Sequence, residues 1–168
     1  FMRIAPELNL KRIIVGGFDK VYEIGKLFRN EGMDPKHNPE FTLMEAYLAY
    51  SDLEGMMNLT ENMFQKIAKE VTGKMIYNWN GHEINLEGPW KRISMIDSIK
   101  EVTGIDFSKI DSDEEAIKIA EERKVEVDEF KKTRGNIINS FFEEFVEETL
   151  IQPTFIYDYP IEVSPLTK

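Results

Sequence analysis

Two apolar and aromatic segments with the spacing of β-strands constrain the fold of this chain more than any other feature of its sequence. They run from Lys20 to Arg29 and from Glu40 to Tyr50, and the stretch between them is polar and contains Gly32 and Pro35. Glycine favours turn conformations and proline cannot donate a backbone hydrogen bond, so both residues interrupt strands. The pattern predicts a long antiparallel hairpin with a wide loop.

Helical patterns lie on both sides of this hairpin. Residues 3 to 15 are predicted as one helix, with Pro6 near its first turn and Gly16 just past its end. After the hairpin, Ser51 and Glu54 form a capping-box pattern, and apolar residues then recur at helical spacing. The hairpin is therefore predicted to lie between two helices.

The rest of the chain predicts a second, shorter hairpin followed by a group of helices. Asn80-Gly81 favours a two-residue turn, so residues 75 to 93 are predicted as short strands around it. Apolar periodicity predicts the remaining helices, and Phe155 and Tyr157 indicate a final strand. The helices are predicted at 94–103, 112–124 and 137–150, and the last strand at 153–159. This order predicts an α+β fold with a small helical subdomain at 94–150.

The composition excludes several kinds of site. The 168 residues include no cysteine and only two histidines, His37 and His82, which rules out a disulfide framework, a thiolate metal site and a histidine zinc cluster. Any metal would have to be a hard cation held by carboxylates. No apolar run approaches the ~18 residues of a membrane span, so the sequence predicts a cytoplasmic protein.

The net charge of −10 argues against a protein that binds nucleic acid by covering its phosphates. The charge is uneven, because residues 1–50 hold about as many basic as acidic side chains whereas residues 111–148 are rich in Asp and Glu. A nucleic acid could therefore contact the first part of the chain and avoid the second.

Strand alternation predicts a row of functional side chains on the first hairpin. Residues two apart on a strand share a face, which aligns Phe41, Glu45 and Tyr47 on one strand and Arg29 with Glu31 on the other. Such a set could bind a phosphate, a base and an ammonium group. From spacing alone, a surface ion pair of Arg29 with Glu31 and simple packing of the two aromatic rings is the simpler interpretation.

Two motifs in the hairpin region resemble a known family. FRNEG at 28–32, followed by HNPEFTLMEAYLAY at 37–50, resembles the second signature motif of class II aminoacyl-tRNA synthetases in its lysine-specific form. The resemblance extends to RIAPELNLKRIIVGGFDKVYEIG at 3–25 and LIQPTFIYDYPIEVSPL at 150–166. The lysine-specific form also agrees with Glu45, since a carboxylate suits a cationic amino acid and would repel an acidic one.

The resemblance implies a reaction and roles for individual side chains. Lysine and ATP would give lysyl-adenylate, and the lysyl group would then pass to the terminal ribose of tRNA(Lys). Arg29 is the implied catalytic residue, because a positioned arginine stabilises the charge of the pentacoordinate phosphorus. The implied contacts are Glu7 to the substrate α-amino group, Arg29 to the α-phosphate, Glu31 to the adenine or ribose side of ATP, His37 to the terminal phosphates, Phe41 to adenine by stacking, and Glu45 and Tyr47 to the lysine side chain. From its position in the loop alone, His37 could equally be a solvated turn residue.

The resemblance also implies features outside these contacts. The chain is expected to form part of the antiparallel sheet of a class II synthetase, flanked by helices, with 94–150 as an inserted helical subdomain in the partial catalytic domain 1–168. The loop 32–39 is expected to contact the acceptor end of the tRNA. A full-length enzyme of this kind would be a homodimer with Mg²⁺ ligands in segments beyond this chain, so the chain alone is expected to be inactive. The alternatives are a paralogue that lysylates an elongation factor and a folded, inactive binding module.

Overall fold

The first predicted hairpin is present in the structure, a computed structural model that describes residues 2–30, 32 and 37–167. The chain divides into two units, Phe1–Met56 and Met57–Lys168. The first unit contains helix α1 (Glu7–Val15), strands β1 (Lys20–Phe28) and β2 (Glu40–Leu48), and the start of helix α2 (Leu53–Thr72).

Strands β1 and β2 are antiparallel, with a register that runs from Lys20 opposite Leu48 to Phe28 opposite Glu40. The backbone N–H of Arg29 donates to the carbonyl of Pro39 at 3.0 Å, so the pairing continues one step past the strands. The predicted alternation is present, because one face of the hairpin is partly buried and the other is exposed along most of its length.

Helix α1 begins at Glu7, so the predicted start at residue 3 is wrong. Pro6 occupies the N-cap position, and its carbonyl accepts from the N–H groups of Asn9 and Leu10. Arg3, which precedes Pro6, lies next to β1 instead, and its carbonyl accepts from the N–H of Phe28 at 2.8 Å. Pairing with a strand edge satisfies this carbonyl outside a helix.

Helix α2 begins at Leu53, one residue later than the predicted capping box requires. The side chain of Asp52 accepts from the backbone N–H of Gly55 at 2.8 Å, which is the hydrogen bond of an N-cap residue. The Asp52 side chain therefore provides a cap at the start of the helix.

The second unit begins with the rest of α2, which is followed by the short hairpin that Asn80-Gly81 predicts. Strands β3 (Ile76–Trp79) and β4 (His82–Asn85) are antiparallel. Asn80 and Gly81 have φ angles of 49° and 82°, as a two-residue turn that matches the strand twist requires.

The next strand is paired in parallel, unlike the antiparallel sheet that the resemblance implies. Strand β5 (Lys91–Ser94) lies outside the second hairpin and pairs in parallel with β6 (Thr154–Tyr157). Parallel strands need a long crossover connection, and the helices between β5 and β6 provide it. The three sheets of the described chain each have two strands.

Three helices connect β5 to β6, and each begins at a Ser or Thr whose side chain accepts a backbone N–H. They are α3 (Met95–Thr103), α4 (Asp113–Arg123) and α5 (Arg134–Phe141), capped by Ser94, Ser112 and Thr133. The predicted third helix starts three residues too late, because Thr133 supplies the cap. The second half of the predicted range 137–150 is not α-helical, since Phe142–Val146 forms a π-helix and Glu147–Thr149 a 3₁₀ turn.

The buried core of this unit lies between residues 95 and 146. Its fully buried side chains include Met95, Ile99, Phe107 and Phe141, and the last two rings meet edge to face with centroids 5.1 Å apart. The large apolar members, such as Phe107, Phe141 and Ile99, bury much apolar area, whereas α4 contributes the small Ala116 and Ala120. In the described part of the chain, no helix has the length and apolar character needed to cross a membrane.

Candidate ligand-binding face of the first hairpin

The predicted functional row lies on the partly buried face of the first hairpin, which we call the binding face. On β2 it contains Phe41, Glu45 and Tyr47, as the sequence predicts. Arg29 joins the same face, since its guanidinium carbon lies 5.3 Å from the centre of the Phe41 ring. The structure therefore places the arginine, the aromatic rings and the carboxylate of the prediction on one face, with Arg29 and Phe41 towards one end and Glu45 and Tyr47 towards the other.

The hydroxyl of Tyr47 donates to a carboxylate oxygen of Glu45 at 3.1 Å. Burial, this hydrogen bond and the negative charges of Glu45 and Glu7 together raise the pKa of Tyr47 to about 12. The phenol therefore keeps its proton at neutral pH and holds the Glu45 carboxylate in place. Glu45 remains able to accept further hydrogen bonds, because a carboxylate has about four acceptor positions.

Helix α1 brings a further predicted residue, Glu7, close to Tyr47. Leu10 anchors the helix in the first unit with 4% of its surface exposed. One turn after Glu7, the ammonium of Lys11 lies 2.5 Å from the Glu7 carboxylate and 5.8 Å from the centre of the Tyr47 ring. An ammonium group is thus already held between a carboxylate and an aromatic face at this end of the hairpin.

A second ion pair on the binding face was not predicted from the sequence. Glu23 lies directly opposite Glu45, and the guanidinium of Arg3 forms an ion pair with Glu23. Alternation on β1 could have indicated that Glu23 is on the same face as Arg29, but the cross-strand partner depends on a register that the sequence did not predict.

The other end of the hairpin is more open. Arg29 and His37 are exposed, and His37 lies three residues before β2 begins. The side-chain oxygen of Asn38 accepts from the N–H of Glu40 at 3.4 Å, which shapes the entry to the strand. Glu31 lies outside the described residues, as do residues 33–36, which are half of the predicted tRNA-contacting loop.

A cavity of about 710 Å³ also opens at this end of the first unit. Its lining is largely apolar and shares only Arg29 with the predicted site residues. The lining residues are Met2, Ile4, Phe28, Arg29, Asn30, Pro39 and Glu40. Because the carboxylates and the aromatic rings of the binding face are absent from this lining, we locate the candidate site by its side chains and not by this cavity.

The described carboxylates do not gather into a cluster of metal ligands. Nowhere in residues 2–30, 32 and 37–167 are three or more His, Asp or Glu side chains placed to hold a metal ion. The resemblance places the ligands of Mg²⁺ beyond this chain, and we derive no step through that metal.

Comparison with known proteins agrees with the resemblance. A chain similar to this one is the lysine–tRNA ligase of Staphylococcus epidermidis, which is 58% identical over 168 residues, covering 100% of this chain and 34% of the relative. The lysine–tRNA ligases of Streptococcus agalactiae and Lactococcus lactis subsp. cremoris are 56% and 55% identical over 167 residues, each covering 99% of this chain and 34% of the relative. The chain thus spans about a third of the length of these relatives.

The family model of the class II tRNA synthetases (D, K and N) matches residues 1–168, which is the whole chain. The match includes the binding face, where an arginine, aromatic rings and carboxylates stand together. This chain therefore belongs to the class II tRNA synthetase family (D, K and N).

Proposed function

We propose that this chain is part of a lysine–tRNA ligase that activates lysine with ATP and transfers it to tRNA(Lys). The observation that carries the proposal is the Lys11 ammonium, held 2.5 Å from Glu7 and 5.8 Å from the centre of the Tyr47 ring. Glu45 is hydrogen-bonded to the same tyrosine and adds a second carboxylate. The face is thus suited to an amino acid that carries ammonium groups, and the names of the relatives support this.

Lysine would be bound through its two ammonium groups. Glu7 would bind the α-amino group, and Glu45 with Tyr47 would bind the side-chain ammonium. A carboxylate whose position is fixed by a phenol gives both charge and direction to this contact. Aspartate would be repelled by the same carboxylates, and asparagine would leave their charge without a partner.

ATP would be bound by the other half of the binding face. Phe41 would stack on adenine, Glu31 would contact the adenine or ribose side, and His37 would contact the terminal phosphates. The Arg29 guanidinium, 5.3 Å from the centre of the Phe41 ring, would bind the α-phosphate of the same nucleotide.

In the activation step, a carboxylate oxygen of lysine attacks the α-phosphorus and the bond from this phosphorus to the pyrophosphate oxygen breaks. Arg29 would stabilise the negative charge of the pentacoordinate phosphorus. The side chains described here act by position and charge, and none forms a covalent bond to the substrate. In the second step, the terminal ribose hydroxyl of the tRNA takes the lysyl group and AMP leaves.

The proposal extends to the wider enzyme. Its active form would be a cytoplasmic homodimer that uses Mg²⁺ held by residues outside this chain. The loop 32–39 would contact the acceptor end of the tRNA. The whole chain 1–168 would be a partial catalytic domain, inactive by itself, and 94–150 would be an insertion in it. The buried core that residues 95–146 contribute supports this last assignment.

A chimaera tests the proposed function. In it, this chain replaces the matching third of the Staphylococcus epidermidis relative, and ATP–pyrophosphate exchange is measured with lysine, aspartate and asparagine. We expect exchange with lysine alone, followed by charging of tRNA(Lys). A chimaera that folds but exchanges no amino acid would support the inactive binding module, and one that lysylates an elongation factor and not tRNA would support the paralogue.

A further inference from the structure

Two glutamates face each other on the binding face. Glu23 of β1 is directly opposite Glu45 of β2, and side chains opposite each other on an antiparallel pair have Cβ atoms about 5 Å apart. Two carboxylates at this separation repel each other, and they also compete for any cation that approaches. A site for one ammonium group at Glu45 therefore needs a means of neutralising Glu23.

Arg3 occupies the position that this neutralisation requires. Its guanidinium forms an ion pair with Glu23, and its backbone carbonyl is fixed alongside β1 by the N–H of Phe28 at 2.8 Å. Gly25 provides the space, since a Cβ atom added there would lie 2.5 Å from a terminal nitrogen of Arg3. The guanidinium thus lies against the binding face at a point where the strand has no side chain.

We propose that Arg3 is a specificity-determining positioning residue, which neutralises Glu23 so that Glu45 alone is left for the side-chain ammonium of lysine. This inference rests on the proposed function. Without Arg3, Glu23 becomes a second carboxylate that draws the ammonium away from its bound position. Without Glu23, the Arg3 guanidinium is free to pair with Glu45 and compete with the substrate.

The alternative is that the pair only stabilises the fold. Both side chains are 36% exposed, and ion pairs as exposed as this typically contribute about 0–1 kcal/mol to stability. A stabilising pair would change the melting temperature when broken and would leave the ratio of the KM values for lysine and ATP unchanged. The two explanations therefore differ in a quantity that kinetics measures.

A double-mutant cycle in the chimaera tests the proposal. We expect Arg3→Met and Glu23→Gln each to raise the KM for lysine about threefold to tenfold, because each leaves one uncompensated charge beside Glu45. The KM for ATP should stay within about twofold. The double variant should return the KM for lysine to within about twofold of the unmodified chimaera, since the charge is again balanced.

Two further variants on β1 serve as a control and as a second test. Lys26 lies on β1 on the opposite face, paired with Glu40 at 3.0 Å, and Lys26→Met should leave the KM for lysine unchanged. Gly25→Ala retains every charge but displaces the Arg3 guanidinium, so it should raise the KM for lysine as Arg3→Met does.

The outcomes separate the inference from the proposed function. An unmodified chimaera without lysine-dependent exchange would overturn the proposed function, and the inference with it. An active chimaera in which Arg3→Met and Gly25→Ala leave the KM for lysine unchanged, or raise the KM for ATP equally, would overturn the inference alone. The inference would also be overturned if the KM for lysine of the double variant did not return to within about twofold of that of the unmodified chimaera.

Discussion

The carboxylates Glu45 and Glu61 show how differently the two units of this chain use the same chemical group. Glu61, in the second unit, is 9% exposed, and both its oxygens are bound by protein groups. One oxygen accepts from the N–H of Trp90 and from Gln65, and the other pairs with Arg92 at 3.3 Å. Glu61 is therefore occupied by the fold itself.

Glu45, in the first unit, is partly buried and accepts a hydrogen bond from Tyr47, which fixes its position. It also faces Glu23, whose charge is balanced by Arg3. A partly buried carboxylate that is positioned but retains acceptor capacity is arranged for a ligand. We infer that the number of protein partners, and not burial alone, separates the structural carboxylate Glu61 from the proposed binding carboxylate Glu45.

The largest expected effect is on the chemical step, and it lies in the first unit. Arg29→Ala in the chimaera should lower kcat for lysine-dependent exchange by about 10²-fold or more, because a donor that stabilises the developing phosphoryl charge is lost. Pre-steady-state adenylate formation measures this step directly. Arg29→Lys should recover part of the rate, since it restores the charge without the bidentate geometry. A normal rate in Arg29→Ala would remove this arginine from the catalytic role.

The next effect is on stability, and it lies in the second unit. Glu61→Gln should lower the free energy of unfolding of the 168-residue chain by about 1–3 kcal/mol, because Arg92 loses the charge of its buried partner. Urea denaturation followed by circular dichroism measures it. Glu45→Gln is the matched control, and its change should be clearly smaller. If Glu45→Gln destabilised the chain as much as Glu61→Gln, the contrast between the two carboxylates would be lost.

The smallest effect is on the titration of one phenol. The pKa of Tyr47 is raised to about 12 by burial and by its hydrogen bond to Glu45, so Glu45→Gln should lower it toward 10 while the burial contribution remains. Between pH 10 and about 12 the folded chain keeps the Tyr47 proton, whereas the unfolded chain loses it. The contribution of the protonated phenol to the stability of the fold is therefore complete below pH 10 and is lost as the pH rises to about 12.

Phenolate absorbance against pH measures this shift, with Tyr47→Phe identifying the contribution of Tyr47 to the curve. An identical Tyr47 titration in the unmodified chain and in Glu45→Gln would show that the hydrogen bond between the two side chains is absent in solution.

The row of side chains on β2 could be predicted because strand alternation is a local property. Phe41, Glu45 and Tyr47 are separated by even numbers of residues, and that spacing alone places them on one face. The register against β1 could not be predicted, since the loop between the strands is too long for turn geometry to fix it. For this reason the sequence did not reveal that Glu23 faces Glu45, or that Arg3 forms an ion pair with Glu23.

The second unit shows the same division between local and distant information. Asn80-Gly81 predicted its hairpin, because both residues tolerate the positive φ angles that the turn requires. The parallel pairing of β5 with β6 was missed, since it joins segments far apart in the sequence and leaves no periodic signal in either. The start of α1 was missed for a related reason, because pairing of Arg3 with Phe28 competes with the helix.

The separation between a binding and a structural carboxylate is tested most directly by the KM values of Glu45→Gln and Glu61→Gln, measured one at a time in the chimaera. We expect Glu45→Gln to raise the KM for lysine about tenfold or more and to change the KM for ATP less than about twofold, because only the contact to the lysine ammonium is lost. Glu61→Gln should change neither KM. An equal rise in both KM values in Glu45→Gln, or a rise in the KM for lysine in Glu61→Gln as large as in Glu45→Gln, would contradict the assignment of Glu45 to the lysine site.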